Sequence, residues 1–177
     1  MNKSTRFLIL CTVLTAVAQV SATTFRQLSL DELIQSAELA FHGTVASTDT
    51  TLRDGEPWTT VTFDITELFL LPEGQDEPGT QLSLDFLGGT AGGSQLTVAL
   101  MPQFEAGAEM LVLAYAGEFY SPVVGFNQAL WQLSPAGEWV TDSGVPLGLT
   151  EDGELTAENA GPAAEVLEAI AARLEAR

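Results

Sequence analysis

The stretch Trp58-Thr-Thr-Val-Thr-Phe-Asp-Ile-Thr-Glu-Leu-Phe-Leu70 decides the fold class of this chain. Its apolar residues alternate with threonine and aspartate as far as Ile65, and a period of two is typical of a β-strand with one buried face. The apolar parity then changes at Leu68. Because one extra residue would restore the alternation, we expect a β-bulge near Thr66 and Glu67.

Further segments of strand composition lie on both sides of this strand. Residues 39–48 are interrupted by Gly43 as a bulge or bend would be, and residues 54–57 have the composition of a turn. Residues 110–115 are apolar on both parities, which predicts a central strand covered on both faces. The remaining expected strands are residues 82–86, 96–100, 119–126, 130–133 and 139–141.

Both ends of this β-rich region carry a helical signal. Ser29 and Glu32 have the spacing of a capping box, and apolar residues follow on one face. Pro162 opens a stretch rich in Ala, Glu and Leu, in which Val166 and Ile170 have helical spacing. We expect this second helix either to pack over one end of the β domain or to form a partly free tail.

Many short strands with a helix at each end predict a mostly β domain, either a small barrel or a sandwich, and we favour the barrel. The barrel is expected to be closed or partly open. Residues 23–149 are assigned to this domain, and residues 150–177 to an acidic linker followed by the C-terminal helix.

The first 22 residues have the features of a secretory signal peptide. Lys3 precedes an apolar core at residues 7–18, and small residues at positions 20–22 predict cleavage before Thr23. Lipoprotein processing at Cys11 is the rival interpretation. The apolar core is too short for a stable membrane span, so we expect a secreted or periplasmic protein.

Residues 23–177 contain four arginines, no lysine and no cysteine against 24 acidic residues, a formal charge of −20. Without a basic patch, nucleic acid and anionic lipid are excluded as expected partners. Without cysteine, the fold has to rest on its apolar core. The acidity has two open explanations, which are solubility or adaptation to salt, and a surface shaped for a particular partner.

Several chemistries lack their residues. The glycine-rich stretch at residues 88–93 has no lysine to hold a phosphate, so a hairpin or bulged connection is the better interpretation. His42 is the one histidine, which excludes zinc sites built on two imidazoles, and we expect it at an edge or on the surface. A pair of carboxylates could still serve a hydrolase, but no pair stands out. The sequence therefore predicts no catalytic residues, no metal and no cofactor.

The expected binding surface is a glycine-rich loop together with two apolar residues beside a proline. Four glycines in six residues leave the backbone free to adapt and its amides unshielded. The apolar residues either project as anchors or, in the case of Phe104, fold into the core. The predicted binding residues are Gly88, Gly89, Gly92, Gly93, Met101 and Phe104.

Aromatic residues near expected turns and strand ends form a second group of interest. Each is expected in the core by default, whereas a cluster of them at one exposed mouth would mark a protein or ligand contact. They are Trp58, Phe104, Phe119, Tyr120, Trp131 and Trp139.

The sequence resembles a family of uncharacterised secreted bacterial β-barrel proteins. The matching segments begin with Leu28-Ser-Leu-Asp-Glu-Leu-Ile-Gln-Ser-Ala-Glu and Phe41-His-Gly-Thr-Val, continue through the glycines of residues 88–93, and end with Met101-Pro-Gln-Phe-Glu-Ala-Gly-Ala-Glu and Val123-Val-Gly-Phe. More distantly, the pattern is similar to netrin modules and tissue metalloproteinase inhibitors, which implies an OB-like barrel. Those inhibitors chelate zinc through an N-terminal cysteine that residues 23–177 lack, so their mechanism is not carried over.

We therefore expect an exported, non-enzymatic binding module that contacts another protein, with a secreted protease among the candidate partners. The alternatives are a carboxylate-based hydrolase and a structural component of the cell envelope or matrix. Clustered aromatics and the glycine-rich loop at one exposed mouth would favour binding, and a recessed cleft with two close carboxylates would favour the enzyme.

Overall fold

The computed structural model describes residues 26–177. The expected signal peptide and its cleavage site before Thr23 lie outside the described residues. The elements in chain order are α1 Leu30–Ser36, β1 Leu39–Arg53, β2 Glu56–Leu70, β3 Gln81–Leu87, β4 Gly89–Ala91, β5 Ser94–Leu96, β6 Glu109–Ala114, β7 Leu130–Leu133, β8 Trp139–Val140, β9 Pro146–Leu149, β10 Leu155–Thr156 and α2 Ala163–Glu175.

Eight of these strands form one antiparallel sheet in the order β10-β9-β8-β7-β6-β1-β2-β3, and β4 and β5 form a separate hairpin. The expected mostly β fold with two helices is confirmed. Among the described residues no strand pairing joins β3 to β10, the two outer strands of the sheet. Closure of a barrel therefore stays a prediction.

The long pairing between β1 and β2 carries the expected bulge. His42 is opposite Glu67 and Gly43 is opposite Ile65, which leaves Thr66 as the extra residue. A Cβ at Gly43 would lie 2.6 Å from the Asp64 carbonyl oxygen, so the two backbones approach too closely here for any side chain. The parity change and the glycine both predicted this irregularity correctly.

The expected strand at residues 119–126 is wrong. The chain forms turns there, because Gly125 and Phe126 both have positive φ, and one isolated bridge between Ala114 and Val123 is the pairing that remains. This loop nevertheless contacts the outer strand of the sheet, since the Leu87 N–H donates to the Tyr120 carbonyl at 2.8 Å.

Two other segments differ from expectation. β5 ends at Leu96 instead of continuing to residue 100, and the chain turns at residues 99–100, where Leu100 has φ 64°. The stretch assigned to an acidic linker contains β10, which pairs with β9 and extends the sheet.

Both helices have the sequence features that predicted them. The Ser29 hydroxyl accepts the Glu32 N–H, and the Glu32 carboxylate accepts the Ser29 N–H at 2.9 Å, which completes the capping box of α1. The buried face of α2 is formed by Val166, Ile170 and Leu174, so this helix is packed rather than a free tail.

His42, which was expected at an edge or on the surface, is buried on an inner strand of the sheet. Its residue exposure is 7%, its Nε2 lies 2.7 Å from Oε1 of Glu109, and its ring packs edge-to-face on Trp139 at 5.3 Å. β1 lies between β2 and β6 in the sheet, and Trp139 of β8 covers the His42 ring. The local sequence of β1 contains no sign of that distant cover.

Candidate functional site

A groove of about 350 Å³ contains four of the six residues predicted to bind. Gly88, Gly89, Met101 and Phe104 line it, whereas Gly92 and Gly93 form the turn of the adjacent β4–β5 hairpin. The full lining is Thr48, Thr50, Thr59, Phe86, Leu87, Gly88, Gly89, Thr90, Gln95, Leu96, Thr97, Val98, Met101, Pro102, Gln103 and Phe104.

The hairpin over this groove is held in close contact with the main sheet. A Cβ at Gly89 would lie 2.6 Å from the Thr59 Oγ1 and 2.7 Å from the Thr50 Cγ2. A Cβ at Gly92 would lie 2.5 Å from the Leu52 Cδ1. These glycines therefore permit close packing of the hairpin, a role different from the loop freedom that the composition indicated.

Hydroxyl groups fix the hairpin at the point of closest approach. Thr59 donates its hydroxyl to the Gly88 carbonyl at 2.8 Å, and its Oγ1 lies 2.9 Å from that of Thr50. Sequence reasoning missed both threonines, because the alternation of β2 identified Thr59 as a strand residue without showing what it faces.

Phe104 forms part of the aromatic core beneath the groove. Its ring centroid lies 4.7 Å from that of Phe86 and 5.9 Å from that of Phe63, and its side chain is half-buried. Met101 is also half-buried and packs against the core. Both residues still line the groove, so contact between these side chains and a partner stays a prediction.

The groove contains no ionisable side chain, although the described residues include 24 acids and four arginines. Its lining combines hydroxyl and amide groups with apolar side chains. Burial of a charge in such a groove would be unfavourable without a counter-charge, whereas neutral polar and apolar groups would be accommodated. The groove therefore fits an uncharged segment of a ligand.

A second surface is formed by four aromatic side chains, Trp58, Tyr115, Phe119 and Tyr120, which we call the aromatic surface. The rings of Trp58 and Tyr120 are 6.2 Å apart, and those of Tyr115 and Phe119 are 5.1 Å apart. Tyr120 is 64% exposed and Phe119 is 45% exposed.

The other tryptophans named as candidates belong to the core. Trp131 is 2% exposed and Trp139 is 0% exposed, and the Trp139 indole N–H donates to the Ala163 carbonyl at 3.2 Å. Of the three tryptophans, Trp58 is thus the one at the aromatic surface.

Arg53 lies beside this surface with its guanidinium carbon 5.6 Å from the centroid of the Trp58 ring. It donates to the Asp85 carboxylate at 2.6 Å, and the Thr60 hydroxyl donates to the same carboxylate at 2.6 Å. The hydrogen bond from Arg53 lowers the pKa of Asp85, and the Thr60 hydroxyl adds to this effect. The same hydrogen bond raises the pKa of Arg53.

Within residues 26–177, no group of three or more histidine, cysteine, aspartate or glutamate residues is arranged to hold a metal ion. The same part of the chain has no helix with the length and apolar character needed to cross a membrane. Comparison of the sequence with known protein families and with curated proteins finds no match.

Proposed function

We propose that this chain is an exported, non-enzymatic binding domain that contacts another protein through the groove beneath the β4–β5 hairpin. The observation that carries the proposal is the uncharged lining of a groove that contains four of the six predicted binding residues. An acidic protein with a neutral groove favours a ligand segment whose centre is uncharged, since a buried charge would find no partner there.

We further infer that strands β6, β1, β2 and β3 form a partly open barrel, with the groove at one end. The hydrogen bond from Leu87 to Tyr120 and the bridge between Ala114 and Val123 support this inference, because the loop between β6 and β7 contacts β3 through the first and β6 through the second. Loops and hairpins carried on a rigid β domain are common binding sites. The proposed barrel is also what the likeness to secreted barrel proteins implies.

The experiment compares two threonine-to-tryptophan variants of the tagged protein. Thr97 is exposed and lines the groove, so Thr97→Trp should fill it, whereas Thr66 is exposed at the β2 bulge outside the groove and serves as the matched control. Exported proteins of the producing cell are captured on the wild type and on each variant, and are quantified by mass spectrometry.

We expect a protein that is retained by the wild type and by Thr66→Trp and is reduced about tenfold on Thr97→Trp, which corresponds to about 1.4 kcal/mol of binding. Melting temperatures of the two variants should agree, because both positions are exposed. Equal recovery on all three proteins, or no recovery above an untagged control, would contradict a binding function of the groove.

A further inference from the structure

The aromatic surface exposes large apolar rings on a chain that is otherwise strongly acidic. Tyr120 and Phe119 lie on the loop between β6 and β7. The Tyr120 ring packs at a tilt against the less exposed Trp58, and the Phe119 ring packs in the same way against Tyr115. Single apolar residues scattered over a surface are common and have no special meaning. Exposed aromatic rings grouped in one patch are instead typical of an interaction surface.

Charged groups beside the rings are predominantly negative. Asp54, Asp85, Glu118 and Arg53 line the same cavity of about 590 Å³ as Trp58 and Phe119. Arg53 is committed to Asp85, and within the described residues no ion pair involves Asp54 or Glu118. A positively charged ligand group placed over the rings would therefore meet Asp54 and Glu118, two carboxylates that form no ion pair in the described chain, although the charge of Arg53 acts on Glu118 from nearby.

The position of Arg53 shows that the Trp58 ring accepts a guanidinium on its face. Its guanidinium lies over the Trp58 ring while it donates to a neighbouring carboxylate, so one arginine uses the ring face and the acidic group together. Phe119 exposes further ring surface beside Glu118 in the same cavity, where the charge of Arg53 acts on Glu118 without forming an ion pair.

The arginines of the described chain are all engaged within it. Arg26 pairs with Glu32, Arg53 with Asp85, and Arg173 with Asp31 and Glu154. Arg177 donates to carbonyls at the end of α1, including that of Ala37 at 2.7 Å. Complementary charge therefore has to come from a partner, and a second copy of this chain, whose residues 23–177 carry a formal charge of −20, would be repelled.

We propose that the aromatic surface binds an arginine-rich segment of another protein. Arginine suits the site better than lysine, because a planar guanidinium stacks on a ring and still donates to carboxylates at its edge, whereas a compact ammonium is more strongly hydrated. This inference is independent of the groove, which has no charged residue in its lining.

The test uses an acetylated peptide with six arginines separated by glycines, and a peptide of equal length and charge in which lysine replaces each arginine. Binding is followed by tryptophan fluorescence and calorimetry. Because Trp131 and Trp139 are buried, a change in fluorescence on binding reports on Trp58. The variants are Tyr120→Ala, Phe119→Ala with Tyr120→Ala, and the control Leu100→Ala, which truncates an exposed apolar residue elsewhere.

We expect the wild type to bind the arginine peptide several-fold more tightly than the lysine peptide. The double variant should lose about tenfold in affinity for the arginine peptide and should bind the lysine peptide as the wild type does. Leu100→Ala and Thr97→Trp should bind both peptides as the wild type does, which separates this test from that of the groove. The Tyr120→Ala variant retains the backbone carbonyl that accepts from Leu87, so its fold should be preserved.

Equal affinity for the two peptides, unchanged in the double variant, would overturn the proposal, because general attraction to an acidic surface would then explain all binding. An unperturbed Trp58 signal at saturating peptide would overturn it as well. A dimer detected by sedimentation in the wild type and lost in the double variant would assign the surface to self-association instead.

Discussion

Asp85 connects the aromatic surface to the outer strand of the sheet. Its carboxylate accepts hydrogen bonds from Arg53 and Thr60, and Arg53 in turn lies over Trp58. The side chains of Arg53 and Asp85 are both more than one-third exposed, so solvent screens their attraction, and we expect the pair to contribute little to the stability of the fold. Its larger role is to hold the guanidinium over the ring.

The Asp85→Asn variant should be slightly less stable than the wild type near pH 7, and the difference should disappear in acid. The pKa of Asp85 is lowered in the folded state, so its ionisation favours folding above the unfolded value of about 3.9, and this contribution is lost as the pH falls through the folded pKa. Urea unfolding measured from pH 7 to pH 3 checks this expectation. Asp76→Asn, an exposed loop position, is the control, and a difference that grows toward pH 3 would contradict the assignment.

His42 and Phe104 show which features of single residues the sequence could predict. The composition of residues 39–48 predicts a strand, but the burial of His42 depends on Trp139, which comes from β8. Phe104 was expected either as an anchor or in the core, and its contacts with Phe63 and Phe86 involve strands β2 and β3. Contacts between residues far apart in the chain leave no local pattern.

At the scale of elements, the β4–β5 hairpin packs closely on the main sheet at Gly89 and Gly92. A methyl group at Gly89 would overlap Thr59 and Thr50, and the backbone there has φ 118°, which side chains disfavour. Gly93, in the turn of the same hairpin, has φ 80°, but a methyl group added there would have no atom within 4 Å. Alanine at Gly89 or at Gly93 would therefore have an unfavourable positive φ, but only at Gly89 would its methyl group also overlap the main sheet.

We expect Gly89→Ala to destabilise the protein by about 3 kcal/mol, because it combines left-handed strain with overlap against the sheet. Gly93→Ala, which introduces the strain alone, should cost about 1 kcal/mol. Urea unfolding of both variants measures the difference. Equal losses would show that the hairpin is free to move away from β1 and β2, and would restore the adaptable loop that the composition indicated.

Elements with strong local signals were predicted from the sequence, and elements defined by their partners were not. The capping box at Ser29, the bulge at Thr66 and the helix after Pro162 were all identified correctly, since each is encoded within a few residues. β9 and β10 are short strands of 4 and 2 residues, and pairing rather than composition defines them. Four of the predicted binding residues line the groove, and their binding role stays a prediction; the glycines marked the hairpin in the sequence, whereas the threonines of the groove resemble any strand threonine.

The whole molecule is held together at its ends by arginines. Arg173 bridges Asp31 of α1 and Glu154 near β10, and Arg177 donates to the Ile34 carbonyl at 2.8 Å at the end of α1. Cations are favoured at that end of a helix, where carbonyl groups lack partners. Two of the four arginines of residues 26–177 therefore join the N-terminal and C-terminal helices, and most carboxylates of the same residues have no ion pair.

We expect the stability of the protein to rise with moderate salt at neutral pH. Residues 23–177 carry 24 acidic residues against four arginines, so repulsion in the folded state exceeds the attraction of the few ion pairs. Salt screens charges more than about 10 Å apart at 0.1 M, and a gain of 1 kcal/mol would raise the melting temperature by about 3 °C. Thermal unfolding in increasing sodium chloride measures this rise, which should shrink near pH 4 as carboxylates become protonated. A melting temperature that stays constant or falls with salt at pH 7 would show that the ion pairs of Arg53 and Arg173 contribute more than the repulsion does.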